Sequence, residues 1–95
     1  MKKAEIVKII PWIKSKGFEC SLKRLGAMDA LFIESEKRKS VNGIEIIEDL
    51  AIVTPDNHGW CVIYRNNDPE RDILSLQNAA KRAMQLINKR KHKKV

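Results

Sequence analysis

The apolar residues of this chain change their spacing twice, and that limits the fold more than any other feature. Ile6, Ile9, Ile10 and Ile13 recur at the spacing of one helical face, while Lys3, Glu5, Lys8 and Lys14 fall elsewhere. From Phe18 the period becomes two. Phe18, Cys20 and Leu22 alternate with Glu19, Ser21 and Lys23, as in a strand with one buried face. Near the end the helical period returns. Ile73, Leu76, Ala79, Ala80, Ala83, Met84, Leu86 and Ile87 gather on one side, with Gln77, Asn78, Lys81, Arg82, Gln85 and Lys89 on the other. Helix, strands and helix in that order predict an α+β fold. Its expected form is a three- to four-stranded antiparallel meander with both helices on one face, a two-layer sandwich. A chain of 95 residues has room for one such core, expected over residues 1–88, with a basic tail over 89–95.

Local signals divide the chain further. Gly17 is the natural stop of the first helix, and Pro11 inside it predicts a kink or a new turn beginning there. A turn at Leu25-Gly26-Ala27 leads into a run from Met28 to Lys39. Asn42-Gly43 then marks a hairpin, because both residues tolerate positive φ. Alternation fails at Glu48-Asp49, which predicts a bulge or two short strands within Ile44 to Thr54. The cluster Pro55-Asp56-Asn57-His58-Gly59 is a turn that delivers Trp60 to Arg65 as a fourth strand. Two starts compete for the last helix. One uses Asp68-Pro69-Glu70 as cap and first turn; the other uses Ser75 as N-cap, with Leu74 stapled onto Ala79.

Several function classes are excluded as expectations. Glu5 and Lys8 interrupt the apolar stretch after Met1-Lys2-Lys3, so no export signal is read and a cytoplasmic location is expected. No uncharged apolar run approaches the ~20 residues of a membrane-spanning helix. Cys20 and Cys61 are too far apart in sequence for a zinc knuckle. They read as reduced core thiols, with a cross-strand disulfide as the alternative. No cofactor, metal or catalytic group is expected. His58 lies in a turn and His92 in the basic tail, neither beside a cysteine. Asp29, Glu34 and Glu36, next to Lys37 and Arg38, lack the Glu-x-Lys spacing usual in small nucleases, and the four glycines form no phosphate loop.

The net charge of +7 is unevenly placed. Residues 1–24 hold seven basic and two acidic side chains, residues 25–72 five and ten, and residues 73–95 seven basic and no acidic ones. With both helices on one side of the sheet, that side becomes cationic. The expectation is a non-catalytic protein that binds DNA or RNA largely without regard to sequence. Lys81, Arg82, Lys89, Arg90, Lys91, Lys93 and Lys94 would meet phosphates, and Lys8, Lys14 and Lys16 would extend the surface. An acidic protein would suit the same surface. The plainer reading of the basic end is a solvated helix terminus whose cations offset the dipole.

A second expectation comes from the strands. Trp60, Val62 and Tyr64 point one way and Cys61 and Ile63 the other, while Ala30 and Phe32 oppose Leu31 and Ile33. Both faces are therefore partly apolar, and two helices cover only one. On this reading Trp60 and Tyr64 are the partner-binding residues of a small regulator or inhibitor, a homodimer included. Burial of both residues within the fold is the competing outcome.

Overall fold

The computed structural model describes residues 2–35, 38–47 and 49–93, with side chains placed for 2–35, 42–43 and 49–89. Helix α1 (Lys2–Ser15) runs through Pro11 without a break, so the new turn expected at that proline does not form. A proline at this position removes the amide that would bond the Val7 carbonyl. Val7 and Pro11 are both exposed, so water can take the place of that bond. Gly17 ends the helix as its sequence position suggests. The amides of Lys16 and Gly17 donate to the carbonyls of Ile13 and Lys14 at 3.0 Å, and Gly17 adopts a φ of 88°.

Five antiparallel strands form the main sheet: β1 (Glu19–Leu25), β2 (Met28–Glu34), β5 (Leu50–Asp56), β6 (Gly59–Tyr64) and β7 (Glu70–Ile73), side by side in that order. Between β2 and β5 the chain makes a second ladder of two strands, β3 (Arg38–Val41) and β4 (Ile44–Ile47). This ladder prolongs the β2–β5 hairpin. Glu34 faces Leu50, the Ser35 amide donates to the Asp49 carbonyl at 3.0 Å, and pairing resumes with Arg38 opposite Ile47. Asn42 and Gly43 close it with φ values of 53° and 78°, the left-handed pair that an Asn-Gly turn supplies. The expected single run from Met28 to Lys39 is thus two strands, and the expected break at Glu48-Asp49 separates β4 from β5.

Strand β7 is the one the pattern did not suggest, and it raises the main sheet from the expected three or four strands to five. It pairs irregularly with β6: Trp60 lies opposite Ile73 and Val62 opposite Glu70, so β7 carries an extra residue. Asp72 absorbs the irregularity with a φ of 60°, and its amide donates to the Asp56 carboxylate at 2.9 Å. Residues 70–73 therefore do not begin the last helix. Helix α2 (Leu76–Lys93) starts at Ser75, whose hydroxyl accepts the Asn78 amide at 3.1 Å. The start at Asp68 is overturned, and so is the staple. Leu74 is 84% exposed while Ala79 is fully buried, because Ala79 faces the sheet and Leu74 points away from it. Helix continues through Lys93.

Both helices lie on one face of the sheet. Ile6 and Ile13 of α1 and Leu76, Ala79, Ala80, Ala83 and Ile87 of α2 share a core with Cys20, Leu31, Ile33, Ala51, Val53, Trp60, Val62 and Tyr64, all from the same sheet face. The fully buried Ala79, Ala80 and Ala83 bring α2 close to the strands. Side chains the size of Ile6, Ile13, Leu31 and Ile87 each contribute about 1.5–3 kcal/mol when buried. Cys20 and Cys61 are both buried and free. Cys20 faces the helices from β1, whereas the alternation turns Cys61 on β6 to the opposite face. Strands β2 and β5 stand between them, which at ~4.8 Å per strand is about 14 Å, beyond disulfide reach.

Candidate nucleic-acid interface

Lys8 and Trp12 stand four residues apart and line one stripe of α1, and Lys16, in the turn just past the end of the helix, stands beside Trp12. That stripe borders the crease between the two helices. On one side of Trp12 is a cavity of about 310 Å³ lined by Glu5, Lys8, Ile9, Trp12, Leu76 and Gln77. On its other side is a second cavity of about 310 Å³, walled by Trp12, Lys16, Phe18, Lys81, Met84, Gln85 and Asn88. The lining advances along both helices in the same sense, so the two cavities are successive parts of one interhelical groove with Trp12 between them. The Lys16 Nζ stands 5.7 Å from the centre of the Trp12 ring, within cation–π range. Lys8, Lys16 and Lys81 are exposed, Trp12 is half-buried, and Glu5 is the one acid among the lining residues.

The remaining expected cations are distributed differently. Lys14 is exposed but sits on the flank of α1 that faces β1, where its charge reaches the Cys20 thiol. Lys89 is exposed further along α2. Arg82 is already engaged: its Nε–H reaches both Glu70 carboxylate oxygens, at 2.8 and 3.0 Å, and this bonding holds its pKa above the ordinary value. A guanidinium so paired adds little net charge to the surface. Arg90, Lys91 and Lys93 lie on the α2 backbone with side chains outside the described set, and Lys94 lies outside the described residues.

The partner-binding role expected of Trp60 and Tyr64 fails on their position. Trp60 is 2% and Tyr64 6% exposed, and both belong to the core beneath the helices. Alternation correctly grouped them with Val62, but the helices dock on that face and not on the other. Lys2 extends over the Trp60 ring, with its Nζ 4.6 Å from the ring centre. The Tyr64 hydroxyl donates to Asp49 at 2.6 Å. The same carboxylate accepts the Leu50 amide at 3.1 Å and the Arg65 Nε–H at 3.2 Å, so a buried acid pins the root of the β3–β4 arm. The helix-free face of the sheet carries Phe32, Ile52 and Ile63 in one cross-strand row, with Leu25 and Met28 exposed toward its edge.

Other titratable groups serve the fold. Asp56 accepts the amides of Asp72 and His58, both at 2.9 Å, and the Asp72 bond is the main cause of its lowered pKa. Asp29 pairs with Arg24 at 3.7 Å. Among the described residues no three His, Cys, Asp or Glu side chains are grouped to hold a metal ion, and no helix is long and apolar enough to cross a membrane. Comparison with protein-family models, curated proteins and solved structures finds no match to this chain.

Trp12 had no place among the residues the sequence nominated. Its signal was nonetheless present as the Lys-Trp-Lys series at four-residue spacing, hidden because Trp12 also belongs beside the apolar face of the helix.

Proposed function

We propose that this protein binds nucleic acid, without acting on it chemically, through the cationic groove between its two helices. The observation that supports this reading is the convergence of Lys8, Lys16 and Lys81 on one groove in which Glu5 is the single acid among the described lining residues. Lysines on exposed helix faces present point charges to phosphates and carry no base-reading geometry, so recognition is largely independent of sequence. Lys89 extends the cationic surface further along α2, while Lys14 stands on the other flank of α1, beside β1. Arg82 contributes little, because Glu70 neutralises it.

Titration of single-stranded and duplex DNA and RNA at about 50 and 200 mM salt tests the proposal, since affinity should fall steeply between the two conditions. Each of Lys8→Gln, Lys16→Gln and Lys81→Gln should remove roughly 0.7–0.9 from the slope of log affinity against log salt. Arg82→Gln should change that slope by much less. Absence of binding to every probe at the lower salt would refute the reading.

A further inference from the structure

We infer that the ligand of this groove is a single-stranded nucleic acid, one base of which stacks on the Trp12 indole while its phosphates meet Lys8 on one side and Lys16 and Lys81 on the other. The inference rests on the nucleic-acid reading above and goes beyond it in naming the form of the ligand and the residue that selects it. A polyanion site needs only cations. This groove also holds an aromatic ring at its centre, and Trp12 is the one residue that lines both of its halves.

Three features favour a strand with unpaired bases. First, each half of the groove is about 310 Å³, at the lower end of the range for small-molecule sites and enough to take one unpaired nucleotide. Second, duplex bases already stack on one another and offer no π face to a side chain, whereas unpaired bases do. Third, the cations bracket the indole along the axis of the groove, with Lys8 one helical turn before it and Lys16 beyond it in the turn that follows α1. A backbone passing over Trp12 therefore finds positive charge on both sides of the stacked base. Ile9, Phe18, Leu76 and Met84 supply apolar walls from which water is displaced when the base enters. An acidic peptide has the charge to occupy the groove but has no flat ring to place on Trp12.

The chain has two tryptophans, and Trp60 is sealed in the core, so Trp60→Phe leaves Trp12 as the single indole reporter. Titration of that variant with a thymidine oligonucleotide of about ten residues should quench its emission, with the midpoint given by anisotropy of the labelled oligonucleotide. Independently, and with Trp60 intact, Trp12→Ala should weaken single-strand binding about 5- to 150-fold and leave duplex binding within about twofold. Trp12→Phe, which keeps an aromatic face and most of the packing, should recover part of the loss. Circular dichroism of each variant establishes that it is folded.

Oligonucleotide binding that neither quenches Trp12 nor weakens in Trp12→Ala overturns the inference and leaves the nucleic-acid reading standing. Equal competition by polyglutamate overturns it as well. Failure of every nucleic acid to bind overturns both.

Discussion

Replacing Tyr64 with Phe should destabilise the protein by about 1.5–2 kcal/mol through loss of the hydrogen bond from its hydroxyl to Asp49. Tyr64 and Asp49 are 6% and 8% exposed, and the hydroxyl donates to the carboxylate at 2.6 Å. A hydrogen bond to a charged partner is worth about 1.5–3 kcal/mol when one side is deleted. The lower part of that range applies because Asp49 still receives the Leu50 amide and the Arg65 Nε–H. The ring itself fits unchanged in the core, so no cavity is added. Arg65→Gln, by contrast, should cost less than about 1 kcal/mol, since that side chain is 44% exposed and its ion pair is partly screened by water. Urea unfolding at pH 7 measures both. With a slope of about 1–3 kcal/mol/M for a domain of this size, Tyr64→Phe should lower the midpoint by roughly 0.5–2 M. Its melting temperature should drop by roughly 6–16 °C. A loss under about 0.5 kcal/mol for Tyr64→Phe, or a larger loss for Arg65→Gln, would refute the view that buried Asp49 anchors the arm root through Tyr64.

Three further outcomes are expected. Gly59→Ala should cost about 2 kcal/mol or more in urea unfolding, because a Cβ at that φ of 154° runs into the Ile73 carbonyl oxygen and β7 must shift; Gly26→Ala, with nothing within 4 Å, should cost less, and the reverse order would contradict the β6–β7 contact. Asp56 has a folded pKa below its ordinary 3.8, so its contribution is complete above that value and disappears as the pH falls through the lower folded pKa. The stability gap between the protein and Asp56→Asn should therefore be constant near neutral pH and narrow only in that acidic window; a gap that closes at pH 6 would be inconsistent. Cys20 is buried, donates to the Ile10 carbonyl at 3.6 Å and has its thiol pKa pushed up by burial, so alkylation at pH 8 should be slow until urea unfolds the chain. Rapid labelling of both cysteines in the native protein would contradict the packing described.

The local elements were legible wherever the physical cause is itself local. Gly17 ends α1 because few other residues accept its φ, Asn42-Gly43 turns for the same reason, and Ser75 caps α2 with its own hydroxyl. Strand β7 was not legible. Between Asn66 and Asp72 the residues are polar and include Pro69, which resembles a loop or a helix start. What makes a strand of residues 70–73 is the open edge of β6 together with the Asp56 carboxylate that holds the Asp72 amide, and neither is near in sequence. Arg82 shows the same limit. Its helical position suggested a phosphate contact, but Glu70 stands on β7 and claims it.

From the sequence alone follow the α+β class, the order of most elements, the pairing of residues into alternate faces and the segregation of charge to the two terminal helices. Periodicity and composition carry all of these, because each depends on a residue and its near neighbours. Which strand face became the core was decided by where the helices docked, and that moved Trp60 and Tyr64 from a candidate surface to the interior. Docking also placed Lys81 of α2 across a groove from Lys8 and Trp12 of α1 and from Lys16 just past its end. Residues so far apart in the chain meet only when both helices bury their apolar sides on one sheet, so the candidate site exists as a consequence of packing.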